Sequence, residues 1–370
     1  MAEALLTEVN RLGARRVFVM ASASLTASTD FEAQVRGVLG ARLVGWACGM
    51  PAHTPRDAVL SMTVRAREPS ADLIVTLGGG SLTDAGKMVR LALQHDIDSE
   101  AGFECFRSIV EADGTRRQPE FAGPTVAQIT IPTTLSGGEF NVTAGCTDTK
   151  IRAKQAYRHP SMMPVAVILD PEMTRATPSG LWLSTGMRAV DHAVETICSV
   201  HGNGQSDGAA LNGLRLLVQG LPACATDAAN MRARLDCQIG AWQSMEHNQS
   251  GVPMGASHGI GHVLGGTCGV PHGATSCVML PAVLRWNEQV NPERQELVAA
   301  TMGHSGRDAG DVLEQFVKSL GQPTRLSEVG VYPEQFEEIA RHAMHDRYIH
   351  TNPRAIRTPA QILEILTLAQ

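Results

Sequence analysis

Apolar and polar positions change rhythm about halfway along the chain. Before residue 175, short apolar runs alternate with stretches of helical spacing: Arg16-Val-Phe-Val-Met-Ala21, Arg42-Leu-Val-Gly-Trp46 and Asp72-Leu-Ile-Val-Thr-Leu77 read as buried strands, with helices over 31–39, 55–67 and 82–93 between and after them. The sheet resumes at 125–131 and closes at Val165-Ala-Val-Ile-Leu169, ahead of Asp170-Pro171. Strand and helix alternating in this way need crossover connections, which predicts a parallel sheet with helices on both faces. Residues 95–123 are polar and broken by Gly and Pro, so they read as a long surface excursion carrying a small hairpin. Beyond Thr177-Pro178 the alternating pattern disappears. Amphipathic stretches at 179–201, 206–223, 227–247, 251–265, 275–289, 294–303, 308–320, 333–346 and 359–369 predict an all-helical remainder. Two domains follow, 1–175 and 176–370, with no flexible linker and a packed cleft expected at their junction.

Composition narrows the class. The chain has 370 residues, 43% of them hydrophobic and 18% charged, which suits a folded protein with sizeable cores and not a disordered one. A net charge of -6 is spread along the sequence without a basic cluster, so nucleic-acid binding has no footprint. No apolar window is long enough to span a bilayer, and Met1-Ala-Glu-Ala-Leu-Leu-Thr-Glu8 lacks the basic start and apolar core of a leader; a cytoplasmic protein that does not enter the membrane is expected. The eight cysteines are scattered without a C-x-x-C pair, and read as reduced, mostly buried thiols.

Three motifs carry candidate chemistry. Gly78-Gly-Gly-Ser-Leu-Thr-Asp-Ala-Gly-Lys87 follows a buried strand and opens a helix, where glycines allow a pyrophosphate close to the backbone and the helix N-terminus favours its charge. It fits neither G-x-G-x-x-G nor the P-loop. Ile131-Pro-Thr-Thr-Leu-Ser-Gly-Gly-Glu-Phe140 is a second strand end with hydroxyls, placing Thr133, Thr134 and Ser136 beside the first loop if both strands share a sheet. Ser257-His-Gly-Ile-Gly-His262 puts His258 and His262 on one helix face, and Gly269-Val-Pro-His-Gly273 lets a loop bring His272 back; with His192 these make four imidazoles of metal-binding type. Each motif has a structural alternative: a tight turn, a capping cluster, or histidines satisfied in a core.

In this order the motifs resemble the iron-containing alcohol dehydrogenase family, and the resemblance runs from about residue 15 to Asn352-Pro-Arg354. It implies a Rossmann-like N-terminal domain and a helical C-terminal domain, the dehydroquinate synthase-like architecture, with NAD(P)(H) bound. On that basis Gly78, Gly79, Gly80 and Ser81 match the pyrophosphate loop, Asp84 and Lys87 the helix after it, and Thr133 and Thr134 the nicotinamide side. His192, His258 and His272 match the three histidine ligands of the metal-dependent members, and His262 a further active-site histidine.

The fourth ligand of those members, an Asp four residues before His192, is replaced by Arg188. A guanidinium has no lone pair and repels a divalent cation. Asp191 points about 100° around the helix from His192, a poor substitute. "PTTLSGGEF" and "STGMRAVDHAVE" resemble the maleylacetate reductase branch, whereas the 95–123 excursion is longer than that branch usually carries. The resemblance therefore implies an NADH-dependent reductase of a dicarboxylate, without metal, in which Arg188 anchors a carboxylate, His192, His258 and His272 donate to substrate oxygens, and His262 supplies a proton. Arg188 also has a structural reading, a salt bridge to Asp191 or Glu195. Cys48-Gly49-Met50 lacks the carboxylate that NAD-demanding members place there, so NADPH is expected to be tolerated. A homodimer is implied as well. The alternatives are a metal-dependent alcohol dehydrogenase, a lyase related to dehydroquinate synthase, and a nucleotide-binding module without activity.

Overall fold

The structure, a computed structural model, describes residues 1–28, 30–110, 116–151 and 153–370. The chain forms two compact units, Met1–Thr177 and Pro178–Gln370.

The first unit opens with α1 (Ala2–Leu12), β1 (Val17–Ala21), α2 (Ala23–Ser28), α3 (Phe31–Leu39), β2 (Leu43–Cys48), α4 (Arg56–Arg67), β3 (Leu73–Gly78) and α5 (Gly80–Gln94). It continues with β4 (Ile109–Val110), β5 (Arg116–Arg117), β6 (Ala127–Pro132), β7 (Thr143–Asp148), β8 (Ala153–Arg158) and β9 (Ala166–Val167). Five strands form one parallel sheet in the order β2-β1-β3-β6-β9. Alternate side chains feed two cores. Phe18, Met20 and Ile74 pack with α4 and α5 on one face, while Val17, Val19, Leu73 and Val75 pack with α1 and α3 on the other. The order reverses between β1 and β3, so the crevice beyond their carboxyl ends is where an open α/β sheet takes a ligand.

Several elements depart from the sequence reading. Residues 2–12 are a helix: Leu5 and Val9 are one turn apart and fully buried, and Gly13 ends it at φ 66°. The β7–β8 hairpin is antiparallel over all six residues of each strand, and its Thr, Gly, Lys and Gln content hid it. The 95–123 excursion is not confined to the surface. It does carry the β4–β5 pair, whose tip at 111–115 lies outside the described residues, but Ile97 and Phe103 enter the core and Arg56 ties Glu104 to Asp148 of the β7–β8 hairpin.

Among its described residues the second unit contains helices and connecting turns but no strand: α6 (Ser179–Cys198), α7 (Gly204–Thr226), α8 (Met231–Ser244), α9 (Glu246–Gln249), α10 (Ala256–Cys268), α11 (His272–Asn287), α12 (Pro292–Thr301), α13 (Ala309–Ser319), α14 (Phe336–Ala343) and α15 (Pro359–Leu368). Gly251 and Pro253 delay α10 to Ala256, five residues later than its apolar spacing suggests. α11 starts three residues earlier than expected, so His272 sits in its first turn, after Pro271, and not on a returning loop. α10, α11, α14 and α15 enclose an apolar core around Ile260, Val278, Ile339 and Ile365. No helix among the described residues is long and apolar enough to cross a membrane.

Candidate active site

In the first unit the two motif loops meet. β3 and β6 are neighbours paired from Leu73↔Ala127 to Gly78↔Pro132, so their carboxyl ends deliver the glycines and the hydroxyls side by side. A Cβ on Gly79 would lie 3.0 Å from Thr134 Cγ2, and one on Gly80 3.2 Å from Ser136 Cβ. Only residues without a side chain permit this approach. Thr134 and Ser136 share a hydroxyl hydrogen bond of 3.0 Å, and the Thr133 carbonyl accepts from Thr177 Oγ1 at 2.7 Å. Among the described residues no side chain caps the start of α5, which leaves its first N–H groups and the positive end of its dipole for an anion.

Around this loop the polar side chains are hydrogen-bonded within the unit. Ser81 Oγ accepts from the His53 backbone N–H at 3.0 Å. Asp84 Oδ2 accepts from Gly145 N at 3.1 Å, tying α5 to β7. Lys87, fully buried, donates to three carbonyls, Gly138 at 2.7 Å, Asn141 at 2.6 Å and Thr143 at 2.9 Å, and so bolts down the segment after the hydroxyl loop. Burial pushes its pKa down to about 8, against the pull of Asp84 and Glu139.

In the second unit a polar stripe runs along α6. Arg188, Asp191, His192 and Glu195 stand at i, i+3, i+4 and i+7, so they share one face of a helix that is otherwise deeply apolar. Glu195 acts as the cap of α10: its Oε2 accepts from Gly255 N at 2.9 Å and its Oε1 from Ser257 N at 2.8 Å, while Asn352 Oδ1 takes the Ala256 N–H. The same Oε2 lies 2.8 Å from His258 Nδ1, which fixes that ring. Burial raises the pKa of Glu195, helped by Asp191, and lowers that of His258. His258 Nε2 and His192 Nδ1 are buried and have no hydrogen-bond partner among the described residues.

Asp191 is not turned away from the histidines. Because α6 is packed by α10 and α11 together, its Oδ2 accepts from Ser276 Oγ at 2.6 Å and Ser257 Oγ at 3.0 Å, and lies 3.4 Å from His258 Nδ1. The offset of one residue along the helix is bridged by the neighbouring helix. One ligand atom each from Asp191, Glu195 and His258 falls within a 4.8 Å group of metal-binding type.

Arg188 reaches the same cluster. Its Nη1 donates to Ser276 Oγ at 3.1 Å and stands 3.6 Å from Asp191 Oδ2, and its side chain is only 12% exposed. Its other N–H groups have no acceptor among the described residues, although burial opposes the charge and lowers its pKa. Even so lowered, a guanidinium stays protonated. A Cβ on Gly261 would lie 3.0 Å from Thr275 Oγ1 and 3.9 Å from Arg188 Nη1, so a bare backbone lets α10 lie this close. Burial first, and Arg188 next, hold His192 and His258 well below the usual imidazole range.

The predicted histidines form a chain of neighbouring rings: His192 to His258 at 4.7 Å, His258 to His262 at 6.5 Å, and His262 to His272 at 6.4 Å. His262 is partly exposed and its Nδ1 pairs with Asp346 Oδ2 at 2.9 Å, which turns Nε2 the other way. Three neighbours were missed from sequence. His247 stacks on His192 at 5.5 Å and 20°, Tyr348 lies 5.7 Å from His262, and Asp346 orients His262. "MHDRYIH" follows α14 without periodicity, and "EHNQ" reads as the end of a helix, so only the concentration of histidine and aromatic residues could have marked them.

A parallel α/β unit with an uncapped glycine-loop helix, followed by a helical unit with buried imidazoles, defines a nucleotide-dependent oxidoreductase of the iron-containing alcohol dehydrogenase kind. The chain belongs to that family: the profile described as iron-containing alcohol dehydrogenase matches residues 1–171, and that of the Fe-containing alcohol dehydrogenase family, C-terminal, matches 182–370. Among its relatives, dehydrogenase FUM7 of Gibberella moniliformis is 34% identical over 97% of this chain and 91% of its own length. Maleylacetate reductase of Rhizobium sp. is 30% identical over 92% of this chain and 86% of its own. The crystal structure of maleylacetate reductase from Rhizobium sp. strain MTP-10005 matches with a TM-score of 0.82 and 29% identity, covering 100% of this chain and 93% of that one. The family uses NAD(P), and the chain is an oxidoreductase.

Proposed function

We propose that the protein is a maleylacetate reductase acting without a metal, in which Arg188 holds a carboxylate of the substrate and NAD(P)H, when bound, would supply the hydride. The observation that carries this reading is a buried guanidinium with unspent donors beside neutral imidazoles. Such a fork matches a carboxylate in two parallel hydrogen bonds. Maleylacetate is a carbon–carbon double bond conjugated to a ketone, with a carboxylate at each end. Hydride adds to the alkene carbon remote from the ketone, the electron pair moves to the ketone oxygen as an enolate, and a proton returns to the other alkene carbon to give 3-oxoadipate and NAD(P)⁺. Donors fixed in advance stabilise the enolate oxygen, the part assigned to His192, His258 and His272. His262, oriented by Asp346 and open to solvent, supplies the proton.

The residues present fit a divalent ion poorly. In the trio of ligand type, Glu195 already accepts from two backbone N–H groups and is hydrogen-bonded to His258 Nδ1, while Asp191 Oδ2 accepts two hydroxyls. Arg188 supplies positive charge 3.6 Å from the same Asp191 oxygen and one turn before His192. No step is therefore routed through a metal.

The test follows NADH absorbance with maleylacetate against a panel of simple alcohols and aldehydes, on protein purified without chelator. Turnover of maleylacetate, less than one tenth of an iron or zinc per chain, and activity unchanged by EDTA are expected; stoichiometric metal lost together with activity defeats the metal-free reading. Arg188→Met should raise KM for maleylacetate by roughly 100-fold, the worth of about two charge-assisted hydrogen bonds, and leave KM for NADH within about twofold. An unchanged KM for maleylacetate removes the anchor.

A further inference from the structure

We propose that Arg347, mounted on Tyr348 at the outer edge of the histidine group, is a second carboxylate subsite that selects dicarboxylates over monocarboxylates. This rests on the reading of Arg188 as the first carboxylate anchor. The Arg347 guanidinium lies over the Tyr348 ring, 4.4 Å from its centroid, and donates to the Tyr348 hydroxyl. The Tyr348 ring in turn stands 6.2 Å from that of His258 and 5.7 Å from that of His262. A cation is thus carried to the rim of the same cluster that holds Arg188 within.

The mount is built. Asp346 Oδ1 accepts from Tyr348 N at 2.9 Å while its Oδ2 pairs with His262, and Thr351 Oγ1 donates to the Met254 carbonyl at 2.6 Å. The turn at 346–351 is therefore fastened to the middle of α10, through His262, and to the segment just before it, through Met254. Among the described residues no carboxylate lies within ion-pair distance of Arg347, so its charge is unspent, and its planar fork suits a carboxylate oxygen pair. Burial lowers the pKa of His247, and the charges of Arg188 and Arg347 both add to that lowering. On this proposal a ligand with one carboxylate engages one of these cations, and a ligand with two engages both.

The experiment is calorimetric titration of the whole protein with adipate and with hexanoate, two six-carbon acids that differ in the second carboxylate. Wild type is expected to bind adipate about tenfold more tightly than hexanoate, the scale of one partly exposed charge-assisted contact. Arg347→Met should abolish that ratio by weakening adipate alone, Arg347→Lys should keep part of it, and Arg188→Met should weaken both acids. A wild-type ratio retained in Arg347→Met, or no discrimination and no binding by wild type, overturns the subsite. The two readings fail separately: loss of discrimination in Arg347→Met without turnover of maleylacetate leaves the subsite and sinks the reaction, and turnover with discrimination intact does the reverse.

Discussion

Glu195 shows how one side chain organises a site it does not itself enter. It satisfies two backbone donors at the start of α10 and the ring of His258 together. Glu195→Leu leaves two buried backbone N–H groups without an acceptor and the His258 ring without its partner, and should cost about 2 kcal/mol or more in urea denaturation; a loss under about 1 kcal/mol contradicts the capping role. His247 gives a pH dependence. Burial holds it at about 4 in the folded protein, against a model-peptide value of 6.5. Its folded value is depressed, so its contribution is fully present above pH 6.5 and is lost as pH falls toward 4, because the unfolded chain takes up the proton first. His247→Phe keeps a ring against His192 and should narrow the stability difference between pH 7 and pH 4 by up to about 3 kcal/mol. An unchanged difference places the acid sensitivity elsewhere. Arg188 was legible in the sequence through its place one turn before His192. Its hydrogen bond to Ser276 was not, since 88 residues separate the pair and no spacing rule links them.

At the scale of elements, Lys87 is the link between α5, which follows the glycine loop, and the segment after the hydroxyl loop. Lys87→Met deprives three carbonyls of their donor and should lower stability by roughly 2–4 kcal/mol and weaken NADH binding several-fold, with maleylacetate KM little changed. Wild-type NADH affinity in that variant separates the bolt from the cofactor loop. The strands of the main sheet were legible because their buried apolar runs are continuous, as parallel strands buried on both faces require. The β7–β8 hairpin was not, since Thr143-Ala-Gly-Cys-Thr-Asp148 buries only alternate small residues under α5 and α4. The helix at 2–12 was hidden by brevity: its apolar face is little more than Leu5, Val9 and Leu12.

For the whole molecule, two units of different texture were legible from the change of hydrophobic rhythm, and the family from the order of three short motifs. The contacts that assemble the second unit's site have a further consequence, for time. Asp191 meets Ser257 across 66 residues, Glu195 meets His258 across 63, His262 meets Asp346 across 84, and Ala256 meets Asn352 across 96. Such non-local contacts form only after long loops have closed, whereas the helices that carry them form locally and fast. On dilution from urea, helical circular dichroism should therefore recover well before reductase activity, and simultaneous recovery would mean that the site assembles with its helices. A chain emerging from the ribosome would complete its glycine loop early and assemble the second unit's polar cluster only once the turn at 346–352 has arrived.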